Sequence, residues 1–193
     1  MDLFEAIRGR RSIGKVKPDP VERHLIERII EAGTWAPNHK NTEPWRFFVL
    51  TGEGRKPLGR VLAEIEREKF HEPLTEEEEQ KVAKQAEKPF RAPVIIAVAV
   101  QYSGKVPPIE EICAVSAAVQ NMLLAAHGLG LGAIWRTGDP TYHPKMKELF
   151  GLREQDEMVG FIYLGYPDIK PNDGKRTYFL EKTNWFDQNG EYK

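Results

Sequence analysis

One cysteine, Cys113, is all that the 193 residues contain. No intrachain disulfide can form, and one thiolate cannot anchor a structural zinc or an iron–sulfur cluster. A lone thiol within an apolar helical pattern is expected to be a small core side chain, not a nucleophile. An excess of one charge is also missing. Twenty-eight Lys and Arg face 29 Asp and Glu, for a formal net charge of −1. That removes the global basic signature of a nucleic-acid or acidic-lipid partner. Long apolar runs are absent too. The longest, Ala92 to Val100, is far shorter than the roughly 20 residues that span a bilayer. The opening Met1-Asp2-Leu3-Phe4-Glu5 lacks the basic-then-apolar order of a signal peptide. The expectation is a soluble, cytoplasmic protein with no nucleic-acid or membrane partner.

Several familiar sites are missing as well. His24, His39, His71, His127 and His143 show no H-x-x-x-H or H-E-x-x-H spacing, so no catalytic metal is expected. Ser103 and Ser116 lack a G-x-S-x-G setting. Gly128, Gly130 and Gly132 close a helical pattern and do not follow a strand, which gives a Rossmann site no support. A P-loop is absent.

What is present reads as one mixed α and β domain over 1–193, with an extended polar tail from about Pro167. Asp2 to Arg10 is a short helix with Asp2 as its cap. Val16 to Pro20 is a proline-broken connection. Val21 to Gly33 repeats apolar residues at helical spacing and stops at glycine. Arg46–Thr51, Pro93–Val100, Leu131–Trp135 and Met158–Leu164 read as strands. Leu58 to Ile65 and Glu110 to Leu129 are amphipathic helices. Thr75 and Glu78 form a capping box before Glu79 to Lys88, whose charge predicts a solvated helix or lid. The tail carries Tyr178, Phe179, Trp185 and Phe186, enough apolar surface to imply packing against something, such as a second subunit.

Three segments carry the chemistry. Arg10-Arg11-Ser12 combines guanidinium forks with a hydroxyl, a set that holds a phosphate monoester; cations at a helix C-terminus also have a plain macrodipole reading. Ala36 to Trp45 holds Asn38, His39, Lys40, Asn41 and Thr42 between Pro37 and Pro44. Those groups match the carbonyl and imide edge of a flavin, and equally suit a surface turn. Trp45, heading a strand, reads as core, and Trp35, beside the loop, as the better ligand contact. Trp135-Arg136-Thr137 follows an apolar run, where an arginine needs a partner.

In this order the three segments resemble the flavin-dependent nitroreductase family, most of all its small bacterial NAD(P)H nitroreductases with a Pro-x-His-Lys loop. The resemblance runs from the first helix to about Pro167. It implies an α+β fold, with a central, mostly antiparallel sheet flanked by helices, in an intertwined homodimer that binds FMN at the subunit interface. It implies that Arg10, Arg11 and Ser12 hold the phosphate side and that Trp135, Arg136 and Thr137 approach the same cofactor. Trp35 and His39 would reach the flavin of the partner, with Asn41 in the same loop. Ala125, Ala126, His127, Gly128, Leu129 and Gly130 match a region assigned to the nicotinamide nucleotide; a glycine-terminated helix explains them equally well. The implied activity is ping-pong hydride transfer from NADH or NADPH to nitroaromatic or quinone-like acceptors, with no side chain as obligatory acid or base. A related dehalogenase or ene-type reductase, and a non-enzymatic flavin-binding regulatory module, share the same resemblance. The chain departs from the family pattern at Glu43, where glutamine is common, at Gly14-Lys15 after the serine, and in the choice of Lys175 or Arg176 as the C-terminal cation.

Overall fold

The computed structural model describes residues 1–186. Four strands form one antiparallel sheet in the order β1-β2-β4-β3, with β1 Trp45–Thr51, β2 Val94–Val100, β3 Gly132–Arg136 and β4 Glu157–Gly165. The helices are α1 Leu3–Gly9, α2 Arg23–Thr34, α3 Lys56–Arg67, α4 Glu76–Ala86, α5 Pro108–Gly128 and α6 Pro144–Leu149.

β2 is buried along its whole length, and its side chains alternate between two cores. Val94, Ile96, Val98 and Val100 face a layer made by α2 and α5, with Ile29, Val115, Val119 and Met122. Ile95, Ala97 and Ala99 face α3 and α6, with Leu58, Leu62, Ile65 and Met146. Three layers therefore enclose the sheet on both faces.

The β2–β4 register slips between Val98 and Ala99, opposite Gly160 at φ 151°. A Cβ on Gly160 would lie 2.2 Å from Trp135 Nε1 and 2.8 Å from the Arg136 carbonyl oxygen. Glycine thus lets the Trp135 indole cross β4 and donate to the Val159 carbonyl at 3.2 Å.

α5 is long and apolar enough to cross a membrane by length and composition. Here its buried side, with Ala114, Val115, Ala118, Val119, Met122 and Ala126, packs on α2 and the sheet. The helical period turns Ile109, Cys113 and Gln120 away from that core. Cys113 is exposed, which corrects its expected place in the core.

α4 begins directly after its N-cap Thr75, three residues ahead of the expected Glu79, and Glu78 of its first turn bonds reciprocally with Thr75. It is docked on α3 through buried Val82, and Arg67 bridges to Glu72 and Glu79. α1, by contrast, buries nothing: Leu3, Phe4 and Ile7 all face outward. Tyr178, Phe179, Leu180, Trp185 and Phe186 of the tail are exposed as well.

Candidate functional site

The short segment after α1 runs along the free edge of β3. Ser12 bridges Ala133 in parallel, and the Ile13 N–H donates to the Ala133 carbonyl at 3.0 Å. The chain returning from β4 lies beside it. Lys17 N–H donates to the Tyr166 carbonyl at 2.8 Å, and Lys15 pairs with Asp168 at 3.1 Å. These contacts bring residues near 10 and near 175 together.

Three arginines meet there. Arg11 folds back to donate to the carbonyls of Arg8 at 2.5 Å, Arg10 at 2.8 Å and Asn172 at 3.2 Å. Partial burial, and then the charges of Arg11 and Arg176, hold the Arg10 guanidinium below the ordinary arginine range. It remains cationic. Among the described residues no carboxylate pairs with Arg10, Arg11 or Arg176; the one ion pair in this stretch belongs to Lys15. Uncompensated like charges at close quarters raise the free energy of the empty protein, and an anion placed among them lowers it.

Further along β3, beside Gly14, Arg136 lines a cavity of about 330 Å³ between α3 and the β3–β4 edge, whose lining does not include Arg10, Arg11 or Ser12. Leu58, Leu62 and Ile134 supply apolar walls; Lys88, Arg91, Arg136 and Thr137 supply donors. The Arg136 guanidinium lies 5.2 Å from the Tyr163 ring centre, within cation–π range. Its Nε is buried with no hydrogen-bond partner among the described residues, the kind of orphan a ligand satisfies. A Cβ on Gly14 would sit 3.1 Å from Arg136 Nη2, so the glycine leaves that guanidinium its room. Burial, and then Arg91, pushes the Lys88 amine below its usual range. Burial raises the Tyr163 phenol, against the opposing charges of Arg136 and Arg91.

Lys88 and Arg91 escaped sequence reasoning, which placed Lys88 at the end of a solvated helix. Both belong to a short turn, Lys88–Arg91, that feeds β2. A basic pair just before a wholly apolar strand was the available signal. A larger pocket of about 770 Å³ lies beside β1, between α2 and the turn at Gly52. Its charged groups are already engaged: Arg23 pairs with Glu27, and Arg55 donates to the Gly52 and Ala92 carbonyls. Among the described residues, no three His, Cys, Asp or Glu side chains converge as metal ligands.

The proline-braced loop lies on the α2–α5 side. Asn38 closes it, donating to the Ala36 carbonyl at 3.3 Å and accepting from the Glu43 N–H at 2.9 Å. Lys40, Asn41 and Glu43 hold φ of 53°, 49° and 44°. Three left-handed non-glycine residues in four positions cost energy that only a tightly braced loop sustains. Lys40 donates to the Lys105 carbonyl at 3.3 Å, and His39 Nδ1 meets Glu110 Oε2 at 2.5 Å. Asn41 is exposed, Trp45 is buried as expected, and Trp35 is 81% exposed.

Trp35 borders a shallow pocket with Arg28, Ala125, Gly128 and Leu129. The end of α5 is closed by its own backbone: the carbonyls of Ala125, Ala126 and His127 accept from Leu129, Leu131 and Gly130. Ala126 is fully enclosed in the core, so it presents no surface to a nucleotide in solution. The His127 ring lies against Gly9, at the α1 end. The structure thus sets Ser12 against β3 at Ala133 and Gly14 beside Arg136, and places Trp35 by the end of α5. Neither Trp35 nor His39 lines the Arg136 cavity of the same chain. The Trp135 N–H is already committed to Val159, leaving its ring, not its donor, to a ligand.

The chain is similar to known proteins in sequence and fold. The model of the "Nitroreductase family" matches residues 7–166. A protein of Escherichia coli (strain K12), "Putative NAD(P)H nitroreductase YdjA", is 39% identical over 172 residues, covering 88% of this chain and 91% of that one. The crystal structure of a "Nitroreductase-like Family Protein" from Bacillus cereus is 32% identical, with a TM-score of 0.81 and 95% of both chains covered. The crystal structure of "a putative nitroreductase in complex with fmn" from Desulfovibrio desulfuricans is 29% identical, with a TM-score of 0.69 and 92% of each chain covered. The mostly antiparallel sheet between helical layers, the order of the three motifs and these matches agree: the chain belongs to the nitroreductase family.

Proposed function

We propose that the chain is an FMN-dependent oxidoreductase that uses NADH or NADPH to reduce nitroaromatic or quinone-like acceptors. One observation carries this reading. Three arginines with no carboxylate partner among the described residues sit where Ser12 meets β3, and the same strand delivers Arg136, whose buried Nε has no partner among those residues, into a cavity. A phosphate at one end and a planar polar ring at the other are what such an inventory accepts.

The residues fit the cofactor. Arg10 and Arg11, with the Ser12 hydroxyl, would hold the phosphate, and Arg176 adds charge there. Arg136, Thr137 and Lys88 would meet the polar ring edge, against the apolar wall of Leu58, Leu62 and Ile134. Bound FMN supplies the redox chemistry, accepting hydride from NAD(P)H and delivering it to an oxidant. The protein binds, orients and places positive charge. One cleft serving donor and acceptor in turn gives ping-pong kinetics.

The working unit is a homodimer. Leu3, Phe4 and Ile7 on α1, and the aromatic tail, expose apolar surface that a second copy would cover. Trp35 and His39, which stand away from the cavity of their own chain, would then serve the flavin of the other. A cytoplasmic location follows from dependence on dissolved nicotinamide nucleotide. The visible spectrum of the purified protein tests the reading. A flavin band that bleaches with NADPH under anaerobic conditions and returns with a quinone is expected. A colourless protein that ignores added FMN contradicts it.

A further inference from the structure

The contact between His39 Nδ1 and Glu110 Oε2, at 2.5 Å, joins a strained loop to the first turn of α5. A carboxylate is an acceptor only, so Nδ1 must carry the hydrogen. The neutral ring is then the Nδ1–H tautomer, whereas a histidine free in water favours Nε2–H. Nε2 has no partner among the described residues, and the ring is half exposed, with 56% of the side chain open.

The surroundings hold the ring in place. Lys40, next in the chain, is tied to the Lys105 carbonyl, and Asn38 closes the loop onto Glu43. The groove below is lined by Pro37, Ile109, Cys113 and Ala117. A first-turn glutamate has a plain role beside the helix dipole, yet Glu111, its neighbour, turns inward and accepts from the Ser103 N–H. Glu110 instead points at the imidazole.

We propose that Glu110 is a positioning residue. It sets the tautomer of His39 so that Nε2 is the ring atom offered to a ligand, as a lone pair when the ring is neutral and as a donor when it is charged. With the flavin placement proposed above, on which this rests, that ligand is the polar edge of the FMN bound by the second copy. That edge carries both an imide N–H and carbonyl oxygens.

Long-range ¹H–¹⁵N NMR of the imidazoles in the full-length protein reads the tautomer directly, with and without FMN. His39→Ala identifies the signal. The neutral ring is expected as Nδ1–H in the native chain, as Nε2–H in Glu110→Ala, and restored to Nδ1–H in Glu110→Gln, whose amide oxygen still accepts. Nε2–H in the native chain, or no change in Glu110→Ala with an intact thermal transition, overturns the proposal. FMN affinity separates the two layers. Glu110→Ala should weaken it about 2- to 12-fold, the span of one hydrogen bond, and should add nothing in the His39→Ala background. If the tautomer shifts as expected and neither variant alters FMN affinity, the positioning of His39 stands and its role toward flavin is overturned.

Discussion

Replacing Arg10 by alanine separates a phosphate site from ordinary surface charge, because the two effects carry opposite signs. In the ligand-free protein Arg10 is pressed by its own partial burial and by the charges of Arg11 and Arg176, with no carboxylate paired to it among the described residues. Its removal relieves repulsion, so the thermal midpoint without ligand should stay level or rise slightly. With FMN present the same change removes a charge-assisted hydrogen bond to phosphate. That costs about 1.5–3 kcal/mol, or roughly 10- to 150-fold in Kd. Arg11 already gives donors to three carbonyls, so it is poorly placed to substitute. Flavin fluorescence quenching measures the affinity, and riboflavin, which lacks the phosphate, is the control. The native protein should prefer FMN strongly, and Arg10→Ala should lose most of that preference while binding riboflavin as before. Equal losses for both flavins, or an unchanged FMN Kd, would refute the phosphate assignment.

Other perturbations test the frame that carries the site. Gly160→Ala puts a Cβ 2.2 Å from Trp135 Nε1 at a φ of 151°, and should cost at least about 2 kcal/mol in denaturant unfolding; an unchanged midpoint would show that the indole does not need that gap. Burial pushes the Asp156 carboxyl up, but Arg153 and the N–H groups of Arg153 and Tyr102 outweigh it and hold the group below the usual aspartate range. Its contribution is therefore present above the ordinary aspartate pKa and fades as pH falls through the lowered one. Asp156→Asn should flatten the acid limb of the stability curve, and an acid limb as steep as the native one would contradict this. Thr75→Ala removes the cap of α4, costing about 1 kcal/mol; hydrogen exchange should quicken in 76–86 while FMN affinity holds. A fall in FMN affinity would mean that α4 shapes the cavity directly.

Much of the frame was legible in local pattern. The four strands stand within a residue or two of where apolar and β-branched runs placed them, because β2 and β4 have no polar alternative. The Thr75–Glu78 box was readable since its two hydrogen bonds are local. What escaped was set by long-range packing. Cys113 lies in an apolar pattern, yet α5 has apolar residues on both sides and only one meets the sheet. α6, short and charged with His143 as its cap, carried too little periodicity to notice. The amphipathic α1 was seen, but nothing in its sequence says that its apolar side finds no cover among the described residues. Within the proposed site, Arg10, Ser12 and Arg136 stood out by residue type. Lys88 and Arg91 did not, since only the tertiary packing brings the turn before β2, α3 and the end of β3 around one cavity. The Glu110–His39 contact joins positions 71 apart, beyond the reach of any spacing rule.

Native mass spectrometry of the full chain incubated with FMN tests the central claim most directly. Two copies carrying two FMN molecules are expected, one per symmetry-related site, with occupancy falling in Arg10→Ala. Single chains, or pairs that carry no flavin at saturating FMN, would contradict it.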